Sequence, residues 1–248
     1  MLTIHILLSK ELELAYIKVP KNASTTMTSA FFHLAGVDAD VDQPLNLFHD
    51  PAFKSQFDSI GLEWHQITGP ADLERFFESY SSYLWTASVR DPVGRLVSAY
   101  FNKLNRYTKR FAKGVFCYGK AMQAIGGPKA WDNNRLAIEA MRRKLSLDDL
   151  VKGLVRNGID FDMHFRPQSD FIRPDIIRLD KVIRVEHLEA DFRSLAASVR
   201  STEPDMWTLP TLNSTTLEKG RSSIEVTPQA KQGIYEIYRS DYDILGYS

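Results

Sequence analysis

The chain has 248 residues, 44% of them hydrophobic and 25% charged, and a formal net charge of zero, enough to bury a substantial core as a single domain over residues 1–248. No apolar run approaches the roughly 18 residues of a membrane span. A single cysteine, Cys117, excludes an internal disulfide framework and fits a reducing compartment.

In chain order, apolar β-prone runs mark strands at Ile4–Leu8 and Leu14–Val19, and helical periodicity follows over 24–35, where Met27, Ala30, Phe31 and Leu34 form one face. Residues 38–58 read as irregular. A strand at Tyr83–Val89 leads into a helix over 92–105, and Gly114, Gly119, Gly126, Gly127 and Pro128 mark a loop-rich middle. Helices are predicted at 135–144 and 146–156, a strand at Lys181–Val185, and helices at 188–200 and 228–239. Strands separated by helices imply an α/β fold with a mainly parallel central sheet flanked by helices. Ligands in such folds sit beyond the carboxyl ends of strands. No basic segment precedes the short apolar stretch Leu2–Leu8, so a secretory signal is not expected and the expected location is cytoplasmic.

Two junctions carry chemistry. At the first, the run ending at Val19 stops at Pro20; Lys21, Asn22 and Ala23 follow, and Ser24, Thr25 and Thr26 open the helix. A helix N-terminus offers unpaired N–H groups and the positive end of a dipole, to which a lysine adds a full charge, so this is the plan of an anion cradle. The hydroxyls would equally serve as ordinary helix caps. The glycine-rich loop of the nucleotide hydrolases is absent. At the second junction, Arg90 ends a strand, Asp91 is placed to cap the next helix, Pro92 suits its first turn, and Ser98 lies about two turns on. Arginine is the preferred multidentate phosphate ligand. Pairing of Arg90 with a local carboxylate is the plainer alternative.

Charge is unevenly distributed. Pro92 to Trp131 contains no acidic residue but eight basic ones (Arg95, Lys103, Arg106, Lys109, Arg110, Lys113, Lys120 and Lys129), leaving the rest of the chain at −8. That asymmetry suggests an anionic partner. Aromatics among these cations raise nucleic acid as a competitor, but no nucleic-acid-binding motif accompanies them.

Pro-Lys-Asn-Ala-Ser-Thr-Thr after a strand, with Arg-Asp-Pro-x-x-Arg-x-x-Ser-Ala-Tyr following from Arg90, resembles the sulfotransferases that use 3′-phosphoadenosine-5′-phosphosulfate (PAPS), and most closely their carbohydrate branch. Asp162-Met-His-Phe-Arg-Pro-Gln168 is similar to that branch's Asp-x-His-x-x-Pro-Gln segment, and Asp241-Tyr-Asp-Ile-Leu-Gly-Tyr247 to its usual close. The resemblance implies a P-loop-like nucleotide-binding core. It assigns Lys21, Asn22, Ala23, Ser24, Thr25 and Thr26 to the 5′-phosphosulfate, with Lys21 toward the oxygen linking phosphate to sulfate. Arg90 and Ser98 match the pair that holds the 3′-phosphate, and Lys219-Gly220-Arg221 resembles, more weakly, a loop closing over the nucleotide. Ala23 departs from the pattern, since relatives often have Gly there and a methyl group constrains close backbone approach.

Sulfuryl transfer needs in-line geometry, stabilisation of charge on the leaving phosphate, and a general base for the acceptor hydroxyl. His65 occupies a position similar to the catalytic histidine of uronyl 2-O-sulfotransferases; His164 is the second candidate and Glu63 the third. His5, His33, His49 and His187 read as structural, with no metal-ligand spacing among them. The expected acceptor is a saccharide or glycoconjugate hydroxyl, with an acidic glycan suggested by the basic block, although that block could serve the nucleotide alone. Arg166 and Arg173 flank the His164 segment as further acceptor contacts. A nucleotide-dependent kinase and a non-catalytic module for anionic glycan or nucleic acid are the competing readings.

Overall fold

The structure, a computed structural model, describes residues 2–37, 44–49, 51–101, 146–160, 162–200, 209 and 224–248. Their order is β1 (Thr3–Ser9), β2 (Leu14–Lys18), α1 (Ser24–Leu34), α2 (Pro51–Ser59), β3 (Leu62–Thr68), α3 (Pro70–Ser79), β4 (Leu84–Val89), α4 (Pro92–Tyr100), α5 (Leu147–Asn157), α6 (Ser169–Ile172), β5 (Lys181–Arg184), α7 (Leu188–Arg200), α8 (Pro228–Ile237) and α9 (Arg239–Leu245), with short 3-10 turns at Pro44–His49, Met163–Phe165 and Val185–His187. The chain divides into two compact units, Met1–Arg90 with Gln168–Leu212, and Asp91–Pro167 with Asn213–Ser248.

The first unit holds a five-stranded sheet in the order β3-β1-β2-β4-β5. It is mixed, which corrects the expectation of a mainly parallel sheet: β1 pairs antiparallel with both β2 and β3, while β2–β4 and β4–β5 are parallel. The cause is local. Four residues, Lys10 to Glu13, join β1 to β2, with Glu13 at φ 46, and so short a connection permits only a hairpin. β3, an edge strand, was not among the predicted strands, and α2 and α3 were also missed.

Paired residues of adjacent strands share a face. Tyr16, Leu7 and Trp64 lie on one side and pack with Met27, Phe31 and Phe32 of α1 and with Phe192 and Leu195 of α7. Ile17, Ile6 and His65 face the other way, where α3 brings Phe76 and Phe77 against Trp85.

In the second unit, Leu96, Leu150, Leu154, Phe165, Ile234 and Tyr238 form the core. Ser146 caps α5 in a reciprocal box with Asp149. Tyr238 donates its hydroxyl to the carbonyl of Phe165 at 2.7 Å, and burial pushes its phenol well above the ordinary range. α8 meets α5 at Gly233, where an added Cβ would lie 2.4 Å from Val151 Cγ1. Alanine there gains about 1 kcal/mol of helix propensity but overpacks the contact at a cost of about 1–3 kcal/mol. Gly233→Ala is therefore expected to lower the thermal midpoint, and Val151→Ala in that background to recover part of the loss. A midpoint raised by Gly233→Ala would refute the close-packing account.

Among the described residues, no helix is long and apolar enough to cross a membrane, and no cluster of three potential metal-ligating side chains occurs.

Candidate functional site

The loop between β2 and α1 is bent in an uncommon way. Lys21 and Ala23 both take left-handed backbone conformations, at φ 71 and φ 53, which costs a non-glycine residue on the order of 1 kcal/mol each. A glycine at position 23 would adopt this conformation without that cost. Between the two, Asn22 is fully buried and acts as the anchor. Its Nδ2 donates to the carbonyl of Ser88 at 2.8 Å and to Gln168 Oε1 at 2.7 Å, and its carbonyl accepts from Ser88 Oγ at 2.7 Å. Because the Ser88 proton is spent on that carbonyl, Tyr16 must donate in the 2.9 Å contact between the two hydroxyls. Burial raises the Tyr16 phenol far above its usual range, so it stays a donor at any working pH. Among the described residues, Asn22 Oδ1 is buried without a hydrogen-bond partner.

The cap of α1 is Ala23, with no side-chain capping bond. Ser24, Thr25 and Thr26 therefore lie inside the first turn and do not cap it, and Thr28 Oγ1 bonds back to the carbonyl of Ser24 at 2.7 Å. The N-terminal N–H groups and dipole of this 11-residue helix receive no side-chain bond from the cap residue Ala23 itself. They sit at the carboxyl end of β2, immediately after Lys21.

At the second junction the Gln168 side chain grips the backbone of Arg90 at two points. Its Oε1 accepts from Arg90 N at 2.8 Å and its Nε2 donates to Arg90 O at 2.7 Å. β4 pairs with β5 only as far as Val89, so a side-chain amide continues the ladder by one residue. The same Oε1 takes the Asn22 bond, and Gln168 is fully buried. Its role was missed in the sequence: the Asp162–Gln168 motif named the residue, but no local spacing ties position 168 to 22 and 90.

The second unit begins at Asp91, whose carboxylate accepts from Gly94 N at 2.7 Å and caps α4, with Pro92 in the first turn as expected. Ser98 lies on α4 and is 2% exposed. Arg95, also buried, donates to the carbonyl of Arg166 at 2.6 Å.

His65 sits on β3, opposite Ile6, which is opposite Ile17 of β2. β3 and β2 run in the same direction, so His65 is two strands from β2, about 10 Å by strand spacing, and near the sheet end that carries Lys21. Its Nε2 is 2.8 Å from Glu63 Oε2, its ring packs on Phe76 at 4.7 Å, and its side chain is 31% exposed. Glu63 also pairs with Lys10 at 2.5 Å. Burial alone would raise the Glu63 carboxyl, but hydrogen bonds from Lys10 and His65 outweigh it and hold it below the ordinary carboxylate value. Glu63 is thus a weak proton acceptor and an effective orienter: with Nε2–H directed at the carboxylate, Nδ1 of His65 keeps the lone pair.

His164 has the complementary arrangement. Asp162 Oδ1 receives both its backbone N–H at 2.8 Å and its Nδ1 at 2.6 Å, which leaves the lone pair on Nε2. Of the proposed acceptor contacts, Arg166 pairs with Asp160 at 2.6 Å and Arg173 with Asp175 at 2.6 Å. His5 accepts the Trp64 indole N–H on Nδ1 at 3.2 Å, and burial first, then the Lys18 charge, lowers its pKa. Burial likewise lowers the Lys18 ammonium.

Within the first unit the structure thus brings together the Lys21–Thr26 loop, Arg90 and Gln168, with His65 at the same sheet end. Ser98 and His164 belong to the second unit. Lys219, Gly220 and Arg221, and the basic block beyond Phe101, lie outside the described residues.

A strand ending in a lysine-bearing left-handed turn at a helix whose cap residue is an alanine is an anion-holding arrangement, and the chain matches the model of the sulfotransferase family over residues 4–248. It belongs to that family. It is similar to mouse carbohydrate sulfotransferase 14, with 26% identity over 201 residues, covering 79% of this chain and 47% of the relative. The chain therefore spans about half the length of that relative. No solved structure matches it significantly.

Proposed function

We propose that the protein moves a sulfuryl group from PAPS to a hydroxyl of a carbohydrate or glycoconjugate acceptor, releasing adenosine 3′,5′-bisphosphate. The observation carrying this reading is the N-terminus of α1, whose cap residue Ala23 supplies no side-chain bond, following the left-handed Lys21 turn in a chain of the sulfotransferase family. The donor brings a sulfate activated as a mixed anhydride with phosphate; the chain's own residues hold and orient it. Backbone N–H groups of Ser24 to Thr26 and the helix dipole suit its 5′-phosphate. Lys21 suits the bridging oxygen, where negative charge grows as the sulfur–oxygen bond lengthens. Arg90 suits the 3′-phosphate through its planar, multidentate guanidinium. The resemblance also implies nucleotide contacts from Ser98 and, more weakly, from Lys219 to Arg221.

His65 is the proposed base. Glu63 fixes its tautomer and stabilises the imidazolium formed when the acceptor hydroxyl loses its proton. His164, oriented by Asp162, is the alternative base. A saccharide acceptor is supported by the carbohydrate sulfotransferase relative, and a cytoplasmic location remains part of the proposal.

The test is a binding titration with adenosine 3′,5′-bisphosphate, followed by incubation of the protein with sulfur-labelled PAPS and a panel of neutral and acidic saccharides. Saturable nucleotide binding without magnesium, and label transferred to at least one saccharide, are the expected results. Binding that requires magnesium would favour phosphoryl chemistry instead. Polyanion binding that is salt-sensitive and indifferent to the nucleotide would favour a non-catalytic module.

A further inference from the structure

Gln168 is fully buried, and its side-chain amide makes three hydrogen bonds to two segments far from it in sequence. Oε1 accepts from Asn22 Nδ2 at 2.7 Å and from Arg90 N at 2.8 Å, and Nε2 donates to Arg90 O at 2.7 Å. Asn22 in turn is the residue between left-handed Lys21 and left-handed Ala23. One amide thus ties the strained loop after β2 to the backbone of the residue after β4. Ser88 makes a second tie: its Oγ donates to the carbonyl of Asn22, and its own carbonyl accepts from Asn22 Nδ2. The Ser88 tie holds the loop to β4, which is rigid in the sheet. Arg90 is past the end of the β4 ladder, so its backbone is held by Gln168 where sheet pairing stops.

We infer that Gln168 is a positioning residue that fixes the spacing between the Lys21–Thr26 loop and Arg90, so that a ligand with anionic groups at both the 3′ and 5′ positions of a nucleoside's ribose is met by both at once. The inference rests on the nucleotide-binding reading above. Its physical content is preorganisation: a ligand held at two points gains only if the second contact is already in place when the first forms. Loosening the link penalises the two-ended ligand specifically. A ligand that touches one segment alone does not sense the spacing.

The experiment compares three probes, adenosine 3′,5′-bisphosphate, adenosine 5′-monophosphate and adenosine 3′-monophosphate, by calorimetric titration against the wild type and Gln168→Met. Methionine keeps the length and apolar bulk of the side chain and removes all three bonds. The bisphosphate is expected to lose about tenfold or more in affinity, and each monophosphate less than about threefold. Equal proportional loss on all three probes would reduce Gln168 to a general structural role, and an unchanged bisphosphate affinity would overturn the inference. If Gln168→Met shows no cooperative thermal unfolding, Gln168→Asn, which retains the amide but withdraws it by one methylene, carries the same expectation. Lys21→Ala and Arg90→Ala, titrated alongside, separate the two levels. If neither weakens the bisphosphate, the nucleotide-site reading fails; if both do and Gln168→Met does not, only the positioning role fails.

Discussion

Lys21→Ala is expected to lower kcat by about 10²–10³, the usual cost of removing one group that stabilises transition-state charge, and to weaken adenosine 3′,5′-bisphosphate by about tenfold. Alanine is a clean replacement at this position. Lys21 stands at φ 71, and alanine, like lysine, carries a Cβ, so the backbone strain stays while the ammonium goes. A glycine would relax the loop as well and confuse the two effects. The kcat loss should exceed the affinity loss, because the lysine's charge matters most when the bridging oxygen carries developing charge, which the ground state lacks. Steady-state kinetics with saturating acceptor measure the first quantity and calorimetry the second. A variant with kcat within threefold of wild type would remove Lys21 from the reaction.

His65→Ala is the second expected large effect: a fall in kcat of about 10²–10⁴ with bisphosphate affinity unchanged. The tautomer argument adds a corollary. Glu63→Gln leaves an acceptor oxygen near Nε2 but removes the carboxylate that favours the imidazolium, so it should reduce kcat less than His65→Ala does. The Lys10–Glu63 pair also tempers that field, since a neighbouring cation offsets part of the carboxylate's pull on a protonated ring. If His65→Ala turns over normally and His164→Ala does not, the base is the histidine oriented by Asp162. Both variants should be checked for unaltered thermal unfolding, as His65 also packs on Phe76.

Much of this was legible in the sequence wherever the signal was local. β1, β2, β4 and β5 announced themselves as short apolar runs, and the Asp91 cap and Pro92 were read correctly from composition. β3 is hard to see because Leu62-Glu-Trp-His-Gln-Ile-Thr breaks its alternation at His65-Gln66, only Leu62 is buried on this edge strand, and no contiguous apolar run marks it. The antiparallel direction of β1 comes from the connection Lys10 to Glu13, which is too short for a crossover, a constraint that the alternation of strands and helices does not reveal. The lysine-bearing turn was visible, yet the hydroxyls after it were open to two readings until Ala23 proved to be the cap. What no local pattern shows is Gln168, because its significance lies in distances to residues 146 and 78 positions away.

The discontinuous make-up of the first unit has a kinetic side. The first 90 residues contain four of the sheet's five strands, and their hairpin and neighbouring pairings have modest sequence separation, which favours early formation. Gln168 and β5 come from the other side of the second unit's long insertion. During synthesis the nascent sheet would emerge with its lysine-bearing turn tied to β4 through Ser88 but not yet through Gln168 to the backbone of Arg90, and that second tether would be delivered only after roughly another 80 residues had left the ribosome, several seconds at ordinary elongation rates. Competence to bind is on this view a late event in the life of the chain, timed by the length of the insertion rather than by the speed of strand pairing.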